Sequence, residues 1–381
     1  MRVAHRHAAT VAFVVACLSS GATRVQAQLP EWLVEADPAV VIGPDAGAHG
    51  EFAFILSAAR LSDGSVAVVS RGTHDIRVFD ARGRHLRTHG RKGAGPGEYD
   101  QPSYVGRSGD TLFIFDFSFR RVTALHAIAG VSKTRLLRPD SAGISVYPVV
   151  RLADGTLLSI SLPVTSMRRP DGLRRGDIAL ETIGDDGAET RTDLGRFPWL
   201  TSLARNPGNS ERAMSVGSYE FGPGLHFTRS GDLLIIGDGA EPRLQYIRAN
   251  GTRVADVALP LERRAFDQKA VAAARDKLLS ISAERIHESI THEHEPRYLP
   301  ETQPYFRELR EGPDGEVWVE RFRVDRFASA EFLVIGADRK PRARLVLPPG
   351  LRPLEVGRDY ILGIVTDEDG VENVVMHRYA R

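Results

Sequence analysis

Two stretches of this chain, RLSDGSVAVVS (Arg60–Ser70) and RLADGTLLSIS (Arg151–Ser161), match nearly residue for residue and place Gly64 and Gly155 91 residues apart. That separation divides into two units of about 45 residues. At the midpoint stands RSGDTLFIFD (Arg107–Asp116). The same pattern, a tight glycine turn followed by an apolar strand, returns in RSGDLLIIGD (Arg229–Asp238), in GPDGEVWVE (Gly312–Glu320) and, more loosely, in VGRDYILGIVTD (Val356–Asp367). The chain therefore repeats one structural unit six times.

Each unit carries a second turn. Gly64 is followed by Gly83, Gly109 by Gly130 and Gly231 by Gly251, at spacings of 19, 21 and 20 residues; Gly155 and Gly187 are 32 apart, and Pro163–Gly176 supplies the surplus. Short β-branched and aromatic strands punctuated by Asp-Gly and Gly-Asp turns form antiparallel meanders. Four strands per ~45-residue unit make the blade of a β-propeller. Apolar pairs such as Val68-Val69, Ile114-Phe115 and Ile235-Ile236 fit strands covered on both faces by neighbouring blades. The expected fold is all-β, a six-bladed β-propeller with one helical insertion; a two-sheet sandwich is the alternative. The sixth unit ends at Arg381 after three strands, and Trp32–Gly43 (WLVEADPAVVIG) is placed to supply the missing outer strand and close the ring. GAGPGEYDQP (Gly93–Pro102) is then the crossing from the rim of one blade to the axis of the next. It is not a phosphate loop, because no Lys-Ser/Thr follows and its glycines lack the nucleotide-binding spacing.

The stretch VFDARGRHLRTHGRKGAGPGEYDQPSYVGRSGDTLFIFDFSFRRVTAL (Val78–Leu125) resembles the repeats of NHL-type propellers and of the secreted six-bladed β-propeller proteins of bacteria in a TolB-like superfamily. LPETQPYFRELREGPDGEVWV (Leu299–Val319) is similar to a late blade of those proteins. The resemblance runs from Ala59 to Val319 and implies a fold more than an activity. Two departures stand out. Only one full Gly-Pro-Gly-Glu crossing is present, echoed in part by Phe221–Gly224, and Ala127-Ile-Ala stands where an acidic turn is usual.

The N-terminus has the form of an export signal, with Arg2 and Arg6, an apolar run from Ala8 to Leu18 and a small-residue site ending Val25-Gln26-Ala27. Two processing routes fit: cleavage after Ala27, or lipidation of Cys17 within Val14–Cys17, as in a bacterial lipoprotein. The expected domains are a signal peptide over 1–27 and the propeller over 30–381, with its helical insertion at 261–298. The expected location is periplasmic or extracellular, or the outer membrane if Cys17 is lipidated. Cys17 is the one cysteine, so the processed chain forms no internal disulfide. Loss of residues 1–27 turns 50 Lys+Arg against 49 Asp+Glu into 47 against 49, a balance without the basic excess that nucleic-acid binding requires. No later segment approaches the ~18 apolar residues of a membrane span. A monomer without a cofactor is expected.

In a four-stranded blade, loops between strands two and three share a face with the crossings between blades, while turns one–two and three–four lie opposite. Pro163–Gly176, Phe197–Gly217 and Pro260–Pro304 exceed the repeat, and all belong to the first, insertion-bearing face. The opposite face keeps its glycine turns, which points to elaboration for function on the insertion face. Within the largest insertion, Phe266, Ala270, Ala274, Leu278 and Ile281 predict an apolar helical stripe between Glu262 and Ile290, read as a cap on the blades, with a membrane-surface helix as the alternative. His287, His292 and His294 in HESITHEHEPRY read as a solvated polar loop, and no metal site is assigned.

Arginines gather on the same face at Arg168, Arg169, Arg174, Arg175, Arg205, Arg212, Arg263 and Arg264, and their forks suit carboxylate, sulfate or phosphate. His74-Asp75 and Asp116 occupy loops between strands two and three there. The expected ligand-binding set is His74, Asp75, Asp116, Arg168, Arg169, Arg174 and Arg205. No catalytic residue is assigned, since neither a G-x-S-x-G elbow nor a placed Ser/His/Asp set occurs. The expected function is a binding or interaction module, not an enzyme, that grips a protein, peptide or acidic glycan with the insertion face. The alternative is a hydrolase or lyase at the axis, with or without a metal. The two differ in one structural feature: an enzyme gathers two or more His, Asp or Glu side chains within ~4 Å at the central channel, whereas a binder shows an open face of aromatic and Arg groups without such a cluster.

Overall fold

The computed structural model describes residues 29–139, 146–161, 172–186, 188–204, 216–367 and 370–381. The expected export signal and Cys17 lie outside the described residues. Two short strands come first, β1 (Glu31–Val34) and β2 (Val40–Ile42). Blade one is β3 (Ile55–Arg60), β4 (Val66–Ser70), β5 (Asp75–Phe79) and β6 (His85–His89). Blade two is β7 (Pro102–Ser108), β8 (Thr111–Asp116), β9 (Arg121–His126) and β10 (Gly130–Leu136). Blade three is β11 (Val146–Arg151), β12 (Leu157–Ser161), β13 (Gly172–Ile183) and β14 (Arg191–Ala204), with β15 (Val216–Ser218) added at its edge. Blade four is β16 (Leu225–Ser230), β17 (Leu233–Asp238), β18 (Arg243–Arg248) and β19 (Arg253–Ala258). Helices α1 (Gln268–Ile281) and α2 (His287–Glu293) follow. Blade five is β20 (Phe306–Glu311), β21 (Val317–Arg321), β22 (Glu331–Ile335) and β23 (Pro341–Val346). Blade six is β24 (Arg352–Val356), β25 (Tyr360–Thr366) and β26 (Glu372–Ala380).

Every blade is an antiparallel meander. The glycine turns that define the repeat are left-handed, with φ of 85° at Gly64 and 94° at Gly155, a region closed to most side chains. Middle strands β4 and β5 are buried along their whole length because a neighbouring blade covers each face. The apolar cores lie between blades. Val69 and Ile76 meet Ile114 and Leu125, Phe115 meets Leu157, and Ile160 meets Leu234. Ile235 then meets Val317, Trp318 meets Ile361, and Leu362 returns to Val66, so the sixth contact closes the circle. The molecule is a six-bladed β-propeller.

The N-terminal strands seal that circle. β2 runs antiparallel to β26, pairing Val40 with Met376 and Ile42 with Val374, and supplies the fourth strand of blade six. β1 pairs with β23 at Glu31↔Arg344 and with β26 at Leu33↔Ala380, stitching blades five and six into one sheet. Trp32 packs there 6.0 Å from Trp318 and 5.9 Å from Tyr379.

The glycine-rich crossing is held from within. Arg121 donates to the carbonyls of Ala94 (2.8 Å), Gly95 (3.0 Å) and Glu98 (2.6 Å), while the Glu98 carboxylate accepts from the Gly95 amide at 2.8 Å. Tyr99 is driven fully into the core between blades one and two.

Two expectations about the insertions are corrected. Gly172–Gly176 and Phe197–Ala204 are not loop and crossing: β13 and β14 run on past the blade as one ribbon, paired from Gly172↔Ala204 to Ile183↔Arg191 with register shifts between Arg175 and Asp177 and between Leu180 and Glu181. Pro198, with no N–H to donate, is tolerated in β14 because β15 pairs only with Ser202–Ala204. The buried stripe of α1 is Val271, Ala274 and Leu278, while Ala270 is exposed and Ile281 is 54% exposed. Successive steps of four drift around a helix of 3.6 residues per turn, whereas a three and a four in alternation stay on one face.

Candidate functional site

The first strands of all six blades line an axial channel of about 940 Å³. Its lining runs from mid-strand residues such as Tyr104 and Leu309 to the turns at Gly109, Gly312-Pro313 and Gly357–Asp359, so it belongs to the face of tight turns rather than the insertion face. The repeat itself furnishes the chemistry. Five consecutive blades each contribute an arginine near the end of the first strand, namely Arg60, Arg107, Arg151, Arg229 and Arg310; blade six contributes Glu355 instead.

These groups are held in a fixed pattern. Arg107 Nε lies 3.0 Å from Glu355, whose carboxylate also accepts from the Tyr360 hydroxyl at 2.5 Å and the Arg60 amide at 3.2 Å. Arg229 donates to Glu311 at 2.7 Å and to the Arg151 carbonyl at 2.9 Å, and Arg310 lies 2.7 Å from Glu308. Arg60 sits 5.0 Å over the Tyr360 ring and Arg151 3.9 Å over Phe113. With Arg358 and Asp359 at the rim, six arginines face four acids, and the channel carries a net positive charge. Burial raises the proton affinity of Glu355 even though Arg107 opposes it. Burial, then the charge of Glu355, pushes the Tyr360 hydroxyl above the usual phenol range. The Glu355 side chain is nevertheless 14% exposed, enough for a small molecule in the channel to touch it.

The residues singled out from sequence lie elsewhere. Asp75 is buried on Arg77 at 3.0 Å and accepts from Thr73 Oγ1 at 2.5 Å, and Arg77 in turn holds the carbonyls of His49 and Glu51. His74 turns the chain ahead of it with φ 57°. Asp116 is fully buried and accepts from the amides of Asp100 (2.7 Å) and Phe119 (3.3 Å), tying the glycine-rich crossing to the loop after β8. Asp116→Ala should therefore lower the unfolding free energy by about 1–3 kcal/mol in a urea titration, because two amides lose their acceptor. Arg174 is exposed on the ribbon, while its neighbour Arg175 forks onto Asp238 at 2.7 and 3.0 Å. Arg168, Arg169 and Arg205 lie outside the described residues.

The histidine-rich segment is not the polar loop expected. It folds as α2 and its flanks: His287 Nε2 bonds the Ser282 carbonyl (2.9 Å), His292 Nδ1 bonds Glu295 (2.9 Å), and buried His294 bonds the Ile290 carbonyl (2.7 Å) against the Phe221 ring. Among the described residues, no three His, Cys, Asp or Glu side chains stand together as metal ligands. None of the described helices is long and apolar enough to cross a membrane.

No protein-family model and no curated protein matches the chain. Solved structures do match it, over almost its whole length. A member of the DUF4221 family from Bacteroides vulgatus aligns at 9% identity with a TM-score of 0.55, covering 93% of this chain and 100% of that one. The calcium-binding protein regucalcin from Agrobacterium tumefaciens aligns at 10% identity and a TM-score of 0.42, over 92% and 97% of the two chains. Virginiamycin B lyase from Staphylococcus aureus aligns at 9% and 0.40, over 92% and 100%. At these identities the likeness concerns the fold.

The expectation of a non-enzymatic module that grips a partner with its insertion face is overturned. Three carboxylates, Glu308, Glu311 and Glu355, gather at the axis and not on the insertion face, and Glu311 is near enough to Glu355 to add to the upward shift of its pKa. The sequence did carry a signal for this site: the arginine that opens RLSDG, RSGD and RLADG recurs with the repeat. Glu355 gave none, standing one residue before the looser sixth copy begins at Val356.

Proposed function

We propose that this propeller is an enzyme, a hydrolase or lyase, acting on a small anionic substrate in the axial channel, with Glu355 as its proton-transfer group. The observation that carries this reading is a single one: a carboxylate reachable from the channel whose proton affinity is raised by burial, set within a ring of arginines. A carboxylate made more basic by its surroundings is a better acceptor for a proton from water or from carbon beside a carbonyl. Arg60, the ring member over Tyr360, is available to hold the substrate anion. Arg107 and Tyr360 hold Glu355 in place. With a proton taken from water, the water oxygen bonds to the carbonyl carbon and the bond to the leaving alcohol breaks. With a proton taken from the carbon beside a carbonyl, a double bond forms as the bond to the leaving group on the next carbon breaks. In both, the leaving oxygen takes up the proton that Glu355 removed.

The blade motifs support an affiliation with NHL-type and TolB-like exported propellers. The apolar run from Ala8 to Leu18 supports export, with release after Ala27 or lipidation at Cys17, and 30–381 as the working domain. The test is an assay of the purified chain on two panels: lactones and carboxylate-bearing esters followed by proton release, and uronate-containing sugars followed by the ultraviolet absorbance of the unsaturated product. Turnover of a member of either panel, lost on Glu355→Gln, is the expected result; a folded wild type inert on both refutes the assignment.

A further inference from the structure

Between the closing strand β2 and blade one the chain turns through Pro44–Gly50, two 3₁₀ turns joined at Gly47 with φ 74°. Blade one holds this passage at four points. The Gly83 turn comes so close to β2 that a Cβ there would stand 2.9 Å from the Val41 carbonyl oxygen. Buried Arg77 donates to the carbonyls of His49 and Glu51, each at 2.8 Å. Phe52 meets Phe79 edge to face at 5.8 Å. The fourth hold is a pair of imidazoles: the His49 ring lies flat on that of His85, from β6, with centroids 3.8 Å apart and planes 10° from parallel.

Histidine is the side chain whose charge changes between pH 5 and 8, so of the four holds it is the stack that answers to acid. Two neutral rings, or one neutral and one protonated, stack at 3.8 Å; two imidazolium rings at that distance repel. His85 is the ring that resists its proton. It is half-buried against the edge of Phe79 at 5.7 Å, and its Nε2 bonds Thr88 Oγ1 at 2.9 Å. Burial, then the charge of His49, holds its pKa below the usual imidazole value. From β5, Arg77 acts in the same direction and Asp75 against it, and these two are bound to each other at 3.0 Å. On its own strand, the backbone of Arg87 favours the protonated form. His49 is exposed, so protons reach the stack from solvent. We propose that His49 and His85 form an acid-released clasp, which fastens the passage behind the sealing strand to blade one and lets it go when both rings are charged. Because folded His85 takes up a proton less readily than the unfolded chain, the stability that the clasp adds is complete above pH 6.5 and is lost as pH falls below it. Released, the passage is still anchored through β2 on β26 and through Arg77, so acid loosens the join between blades six and one and leaves the blades folded. The clasp is independent of the chemistry in the channel, which neither ring lines.

Hydrogen–deuterium exchange of the full chain at pH 7.5 and 5.0, with times scaled for the intrinsic pH dependence of amide exchange, tests this. Scaled exchange across residues 43–51 should quicken about 5- to 10-fold at pH 5.0, the factor set by two unit charges 3.8 Å apart in a largely aqueous setting, while β4 stays unchanged. His85→Phe and His49→Phe each keep two stacked rings but only one that titrates, so each should lose the quickening. His49→Phe alters an exposed side chain and keeps the test open should His85→Phe fail to fold. No quickening in the wild type overturns the proposal. So does quickening of wild-type size in folded His49→Phe or His85→Phe, which assigns the acid response to another group, and so does equal quickening in β4, which makes the loosening global.

Discussion

Glu355→Gln should reduce turnover by about 10²–10⁴-fold, the range that a positioned proton-transfer group contributes, while leaving the melting temperature at neutral pH unchanged or raised. The two effects have one cause. Burial raises the folded-state pKa of Glu355 above its ordinary value of 4.5, so the folded protein holds this proton more tightly than the unfolded chain does. Stability from this group is then fully present below that ordinary value and is lost as pH rises through the raised folded pKa. An amide never ionises, and the variant escapes that loss. For a base that must be ionised to act, the rate climbs with pH across the same window, so the acid limb of the wild-type profile should fall above 4.5 and vanish in the variant. Activity and pH limb both intact in Glu355→Gln would remove this residue from the mechanism. Glu355→Ala is the less informative change, because it also strips Arg107 and Tyr360 of their partner.

Deletion of residues 29–43 should cost most of the stability of the fold. It removes β1 and β2, leaves blade six with three strands and bares the edge of β26 along its pairs with Val40–Ile42. Trp32 and Ile42, both buried, leave their cores. Loss of a buried tryptophan side chain alone costs about 3–5 kcal/mol, and loss of a buried isoleucine about 2–5 kcal/mol. The sum is comparable with the ~5–15 kcal/mol that holds a typical domain together. The truncated chain should melt far earlier and associate through its open edge, read by thermal denaturation and by size-exclusion chromatography. A peptide of residues 29–43 added in trans should restore part of the loss by strand addition. A truncated monomer that melts within a few degrees of the intact protein would mean that the ring is held by blade-to-blade packing without its seal.

The legible parts of this protein were those that recur. A turn glycine with φ near 85–94° admits few substitutes, so Gly64 and Gly155 announce themselves, and apolar pairs such as Val68-Val69 report burial on both faces. The single insertions were harder. The expected stripe Phe266, Ala270, Ala274, Leu278 and Ile281 meets the buried face of α1 at Ala274 and Leu278 and misses it at Ala270, where Val271 is buried instead, and at Ile281, since an Ala-rich helix offers several stripes of similar hydrophobicity and the blade surface beneath it selects one. The ribbon of β13 and β14 escaped notice because its outward end answers to no blade period.

Local sequence determined the number of blades, their turns and the strand that seals them, because each rests on contacts between residues close in the chain or on a period that returns. Which side chains meet at the axis was decided only by closing the ring: Arg107 and Glu355 are 248 positions apart in sequence and 3.0 Å apart in space. Burial, which raises the proton affinity of Glu355, is a property of that closed packing and has no counterpart in the order of residues.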